Sequence, residues 1–133
     1  MAKSNYLEEQ LLAWVSGTDM PTAPAAVYVA LSTADPTEDG SGIAEPGAPD
    51  GYARAAATFG AAAQGANAAT ISNTAAVGFG PTSASWGTLT HFAVFDAPTG
   101  GNMLYHAALT ASETPGIGDS LSFAVGQLTL SES

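Results

Sequence analysis

A chain of 133 residues is long enough for one domain, which at this size buries roughly two thirds of the surface its unfolded form exposes. Charged residues make up 11%, under half the usual share of about 25%, and Lys3 and Arg54 are the only basic residues against twelve Asp and Glu. The formal charge of −10 argues strongly against a nucleic-acid backbone as partner, since phosphate binding needs clustered Lys and Arg, and also against an anionic lipid surface.

The absence of cysteine removes disulfides, thiolate nucleophiles and Cys-ligated metal. The surface must then be largely neutral and polar, rich in Ala, Thr, Ser and Gly, as suits a protein that spends its life against other protein. The opening, MAKSNYLEEQLLAWVSG, has two glutamates among its apolar positions. It is expected to be neither a signal peptide nor a membrane span, so the protein stays where it is made until it is assembled.

Leu7, Leu11, Trp14 and Val15 recur at helical spacing, which predicts one helix over 5–17 with Asn5 as N-cap, Glu8 three residues on and Gly17 at the C′ position. About three turns of helix are marginal alone in water, so this stripe must dock on the chain's own sheet or on a neighbouring subunit. Ala26 to Ser32 is β-branched and aromatic enough for a strand. Residues 35–51 then form a long Pro-, Gly- and acid-rich loop carrying Asp35, Glu38, Asp39, Glu45 and Asp50; such a segment cannot build a core and is expected to project and grip a partner.

Tyr52 to Phe59 reads as a weakly specified, Ala-rich strand, and Gly60 to Ala69 as a mobile low-complexity connection. Ile71, Asn73, Ala75, Val77 and Phe79 share one face of a period-two pattern, predicting a single strand over 70–79. From Trp86 to Leu109 two apolar runs flank the turn residues Asp96 to Asn102, a β-hairpin with too many large apolar groups for one buried face. It should be central, with neighbours on both sides or a bulge that resets the phase. The last strand runs from Ser120 to about Leu130, with a bulge at Gly126 and Gln127 to keep Leu121, Phe123, Val125, Leu128 and Leu130 inward. The predicted core is Trp86, Phe92, Phe95, Leu104, Phe123 and Val125. These elements predict one mainly β domain over 1–133, an antiparallel β-sandwich or jelly-roll-like barrel with one short N-terminal helix.

Catalytic constellations are missing. His91 and His106 lie on opposite arms of the hairpin, and two imidazoles without a third ligand define no zinc site. Ser85, His91 and Asp96 supply the residue types of a triad along one short stretch that cannot bring them together. Phosphate-loop, hydrolase and metalloprotease motifs are absent. Asp35 to Ser41 places oxygen ligands and a glycine as a calcium loop does, but Pro46 stands where the final carboxylate belongs, so a solvated acidic loop is the better reading. The residues therefore call for no enzyme activity, cofactor or metal. Arg54, the lone arginine, either faces water or forms a bidentate carboxylate pair that fixes strand register or a subunit contact.

The succession Ser4 to Glu8, Val27 to Leu31, Asp35 to Thr37, Gly51 to Arg54, Ile71 to Asn73, Ala84 to Thr88, Phe95 with Asp96, and Gly101 to Tyr105 resembles a family of small tailed-bacteriophage virion proteins across nearly the whole chain. Members are often labelled tail fibre proteins, while their size and β-rich character look like those of capsid cement or decoration proteins. The resemblance implies a structural protein made in the host cytoplasm that binds the outer capsid surface and bridges capsomers. Its partners would be the major capsid protein and further copies of itself, as dimer or trimer. A tail or tail-fibre component is the alternative, and a carbohydrate-binding module using Trp86 or Tyr52 a weaker third. The residues expected to meet a partner are Leu7, Leu11 and Trp14 on the helix, Asp35, Glu38, Asp39 and Glu45 in the loop, and Arg54.

Overall fold

The computed structural model describes residues 2–132. Ten strands and one α-helix follow in the order β1 (Ala2–Lys3), α1 (Asn5–Val15), β2 (Val27–Ser32), β3 (Ala55–Ala57), β4 (Ala63–Gln64), β5 (Ala69–Ser72), β6 (Val77–Phe79), β7 (Leu89–Phe95), β8 (Met103–Glu113), β9 (Leu121–Phe123) and β10 (Thr129–Glu132). One sheet has five strands in the order β1-β8-β7-β2-β3; smaller sheets β10-β5-β4 and β6-β9 complete a sandwich-like, mainly β fold in which neighbouring strands are antiparallel.

The predicted hairpin is β7 and β8, and β7 is the middle strand of the large sheet. Its unbroken apolar run has two causes. Both faces are covered, and the register shifts: Val94 pairs with Tyr105 but Phe95 with Met103, so two steps along β8 match one along β7. On one face Val29, Leu31, Phe92 and Val94 pack with Val77, Phe79, Leu128 and Leu130 of the smaller sheets and their connections, and with Tyr52 and Trp86. On the other face Ala30, Ala93, Phe95 and Met103 form a second small core under Ile43.

Ile43 belongs to the loop expected to project. That loop instead folds back over the large sheet, its backbone tied to the end of β2: Thr33 N–H donates to Ala44 O at 3.0 Å and Ala44 N–H to the Ser32 hydroxyl at 3.0 Å. Gly42 allows the return, because a Cβ there would lie 2.2 Å from the Asp35 carbonyl oxygen.

Two expected strands break at corners. The pattern over 70–79 is divided between β5 and β6, which lie in different sheets, and the last strand is divided between β9 and β10. At the second corner Gly126 takes φ 81° and Gln127 N–H donates to Ala124 O at 3.0 Å, so a turn stands where a bulge was expected. Val125 lies on its outside, 63% exposed, and is not core. Leu104 and Phe123 are half-buried, while Trp86, Phe92 and Phe95 are buried as expected. Fully buried Asn73 ties the corners together: Nδ2 donates to Ala75 O at 2.8 Å and to Ala124 O at 3.0 Å, and Oδ1 accepts from Leu128 N–H at 3.0 Å. The Ala-rich strand is shorter than expected, covering Ala55–Ala57 with an isolated bridge between Phe59 and Asn73. The low-complexity connection contains β4, which pairs with β5.

The helix ends at Val15 rather than residue 17, and its N-cap is Ser4 rather than Asn5. Ser4 still has the extended backbone that follows β1, its N–H donating to Leu104 O at 2.9 Å. Its hydroxyl oxygen accepts from Leu7 N–H at 3.2 Å and donates to the Met103 carbonyl. Gly17 follows the C-cap Ser16, as expected.

Candidate partner-docking surface

Helix α1 packs beside β8 and has no fully buried residue. Leu7 and Leu11 are half-buried, but Trp14 at the end of the predicted stripe is 60% exposed. The stripe therefore docks on its own sheet only in its first two turns; the last turn runs beyond the cover β8 provides. Leu12 and Val15, one and two turns on from Glu8 on the outward face, stand 70% and 74% exposed, and Met20 after the helix is also exposed. A groove of about 440 Å³ separates the helix from the segment that returns to β2, lined by Tyr6, Leu7, Gln10, Met20, Pro24 and Leu104. Leu12 and Met20 were missed as site candidates, and Val15, read as part of the docking stripe, lies on the outward face instead. The spacing of Glu8, Leu12 and Val15 was a visible signal, but it lies next to the stronger stripe of Leu7, Leu11 and Trp14.

The acidic loop meets this helix. Asn5 N–H donates to Glu38 O at 2.8 Å, which sets exposed Glu38 beside the helix start. Asp39 is exposed but organises its own turn: Oδ1 accepts from Ser41 N–H at 3.0 Å and from the Thr37 and Ser41 hydroxyls at 2.7 Å. Led by the Ser41 amide, these donors lower its carboxyl pKa to about 2. Asp35 accepts from Thr37 N–H at 2.9 Å and lies 3.8 Å from His106 Nδ1. Among the described residues no three His, Asp or Glu side chains gather as a metal set. Both histidines lie on the same face, His91 opposite Ala108 and His106 opposite Ala93, each with its own surroundings: His91 Nδ1 lies 2.8 Å from the Thr90 hydroxyl, and His106 Nε2 is buried without a partner.

Glu45 and Arg54 are turned toward each other, not outward to a neighbour. Arg54 Nε and Nη2 donate to the two Glu45 oxygens at 2.9 Å each, and Nη1 donates to Ala97 O at 3.1 Å and Gly100 O at 2.8 Å. Of the two readings of Arg54, the bidentate pair holds, and it serves the subunit's own register. Glu45 also accepts from the Tyr52 hydroxyl at 2.6 Å, while that oxygen accepts from Leu31 N–H at 3.0 Å. Burial and then Glu45 push the Tyr52 pKa upward. Tyr52 and Trp86 meet edge to face with centroids 5.6 Å apart in the core, so neither can stack on a sugar and the carbohydrate-module reading fails at the aromatics it named.

The other basic side chain is also held. Lys3 Nζ lies 2.9 Å from Glu132 Oε2, and this bond raises the lysine pKa. A surface of exposed acids around an uncovered apolar helix end can bind protein; it assembles no nucleophile with a base and no oxyanion donors.

No curated protein matches the chain. A family model described as podophage GP4 fiber I protein gp80 matches residues 2–131. That span takes in the whole sandwich and α1 together, and on it the chain belongs to the Gp80 family of phage virion structural proteins.

Proposed function

We propose that this chain is a non-enzymatic docking subunit of the virion's fibre apparatus, a small sandwich that joins one virion protein to another. The observation that carries this is the uncovered last turn of α1, where Leu12, Trp14 and Val15 stand exposed within four residues at one helix end. The family's description as a fibre protein supports the location. Contact would come from Trp14 with its neighbours and from exposed Glu38, Asp39 and Asp35, while Leu7 and Leu11 seat the helix. Even a modest contact becomes strong when symmetry repeats it.

A capsid cement or decoration role is the second reading. It is favoured by the shape of the described residues, a compact sandwich without the repeats of a fibre shaft. The partner would then be the major capsid protein, with this chain as a dimer or trimer bridging capsomers on the outer surface. Gold-labelled antibody against the chain, imaged on intact virions, separates the two. Label on the tail or its fibres is expected; label spread over heads selects the second reading, and virions without label overturn both.

A further inference from the structure

Six large apolar side chains are exposed among the described residues, and four of them, Leu12, Trp14, Val15 and Met20, lie between positions 12 and 20. Ile117 and Val125 stand apart in turns. The patch has an acidic surround: Glu8 and Glu9 lie on the helix itself, Asp19 is next to Met20, and Glu38 is fixed at the helix start by Asn5. No basic residue lies in the last helical turn.

We propose that the outward face of this helix end docks a basic segment of a different virion protein, one that offers an apolar pocket for Leu12 and Val15 flanked by Lys or Arg, and that it does not dock a second copy of this chain. The proposal rests on the reading of the chain as a virion component. Charge decides between the occupants. Two copies meeting at this face would bring like-charged surfaces together, because Glu8, Glu9 and Asp19 are exposed on the helix and just after it. This chain has no free basic side chain to answer them, because Lys3 is paired with Glu132 and Arg54 with Glu45. A basic partner removes that repulsion and meets the acids at the rim, where complementary charge speeds and orients association. Trp14, 60% exposed on the adjoining stripe at the same helix end, is of the residue type most often found at the energetic centre of an interface.

The test places a photo-cross-linker in the face within assembled virions, using Val15→p-benzoylphenylalanine, with Val125→p-benzoylphenylalanine as the distant control. Mass spectrometry of the cross-linked peptides is expected to join position 15 to another virion protein, at a peptide with Lys or Arg beside apolar residues. A second arm compares incorporation of the triple variant Glu8→Lys, Glu9→Lys, Asp19→Lys with wild type. A fall of about tenfold is expected at a temperature where circular dichroism shows the variant folded, since all three side chains are exposed and only Glu8, in the first helical turn, adds a small stabilising term. Cross-links between two copies of this chain, no cross-link at position 15, or unaltered incorporation of the triple variant would each overturn the proposal. Wild-type protein missing from virions would overturn the functional reading itself, whereas wild type present without a position 15 cross-link defeats this inference alone.

Discussion

Arg54 grips Glu45 through two parallel 2.9 Å hydrogen bonds while its guanidinium carbon lies 3.7 Å from the centre of the Phe95 ring. One side chain thereby holds the returning acidic loop, the edge strand β3 and the tip of the central hairpin in a single arrangement. Lysine keeps the charge but loses the fork and the flat stacking surface. Arg54→Lys should therefore cost about 1 to 3 kcal/mol in urea denaturation. A change below about 0.5 kcal/mol would show that the loop is held by other contacts.

Trp86 is buried, and its indole N–H donates to Asp50 O at 2.9 Å. Trp86→Ala should destabilise by about 3 to 5 kcal/mol, as expected for a large side chain removed from a packed core. Trp86→Phe keeps most of the packing and removes one of two donors to the Asp50 carbonyl, which still accepts from Ser83 N–H at 2.9 Å, so its cost should fall to about 0.5 to 1.5 kcal/mol. Equal losses for the two variants, again by denaturant titration, would contradict this division.

Asn73 connects the two sheet-switching corners through three side-chain hydrogen bonds. Asn73→Ala strands the buried Leu128 N–H, while the exposed Ala124 carbonyl keeps Gln127 N–H as its donor, and should cost about 1 to 3 kcal/mol. Hydrogen exchange should show the Leu128 amide opening faster in the variant than amides in β7. Equal acceleration throughout would mean that the corner has no local role.

The same residue shows where sequence reading stops. Ile71, Asn73, Val77 and Phe79 keep one parity, so the pattern looks like one strand although the chain changes sheets between them. Parity records which face is buried and not which sheet covers it. The flip across Gly126 and Gln127 was visible, but a bulge and a turn leave the same trace in sequence, and the position of Val125 depends on which one forms. The hairpin was legible because two long apolar runs bracket a dense turn signal. At the candidate site, the helix and the acidic loop were each legible as elements. Their meeting at Asn5 and Glu38 was not, since it depends on the loop's return over the sheet.

Asp39 gives a pH signature. Its carboxyl pKa is lowered from 3.8 to about 2, so its folded-state bonds add stability above the ordinary value and lose it as pH falls from about 4 to about 2. The Ser41 amide resonance should shift with a midpoint near 2, and Asp39→Asn should abolish that step. A midpoint near 4 would show that the turn does not hold the carboxylate.

The central claim is that the last turn of α1 is a docking surface in the virion. A near-atomic reconstruction of the intact particle tests it most directly. The account predicts density for this sandwich with Leu12, Trp14 and Val15 buried against a protein of different sequence. A resolved sandwich whose outward helix face is bare to solvent, or covered by a second copy of itself, would contradict it.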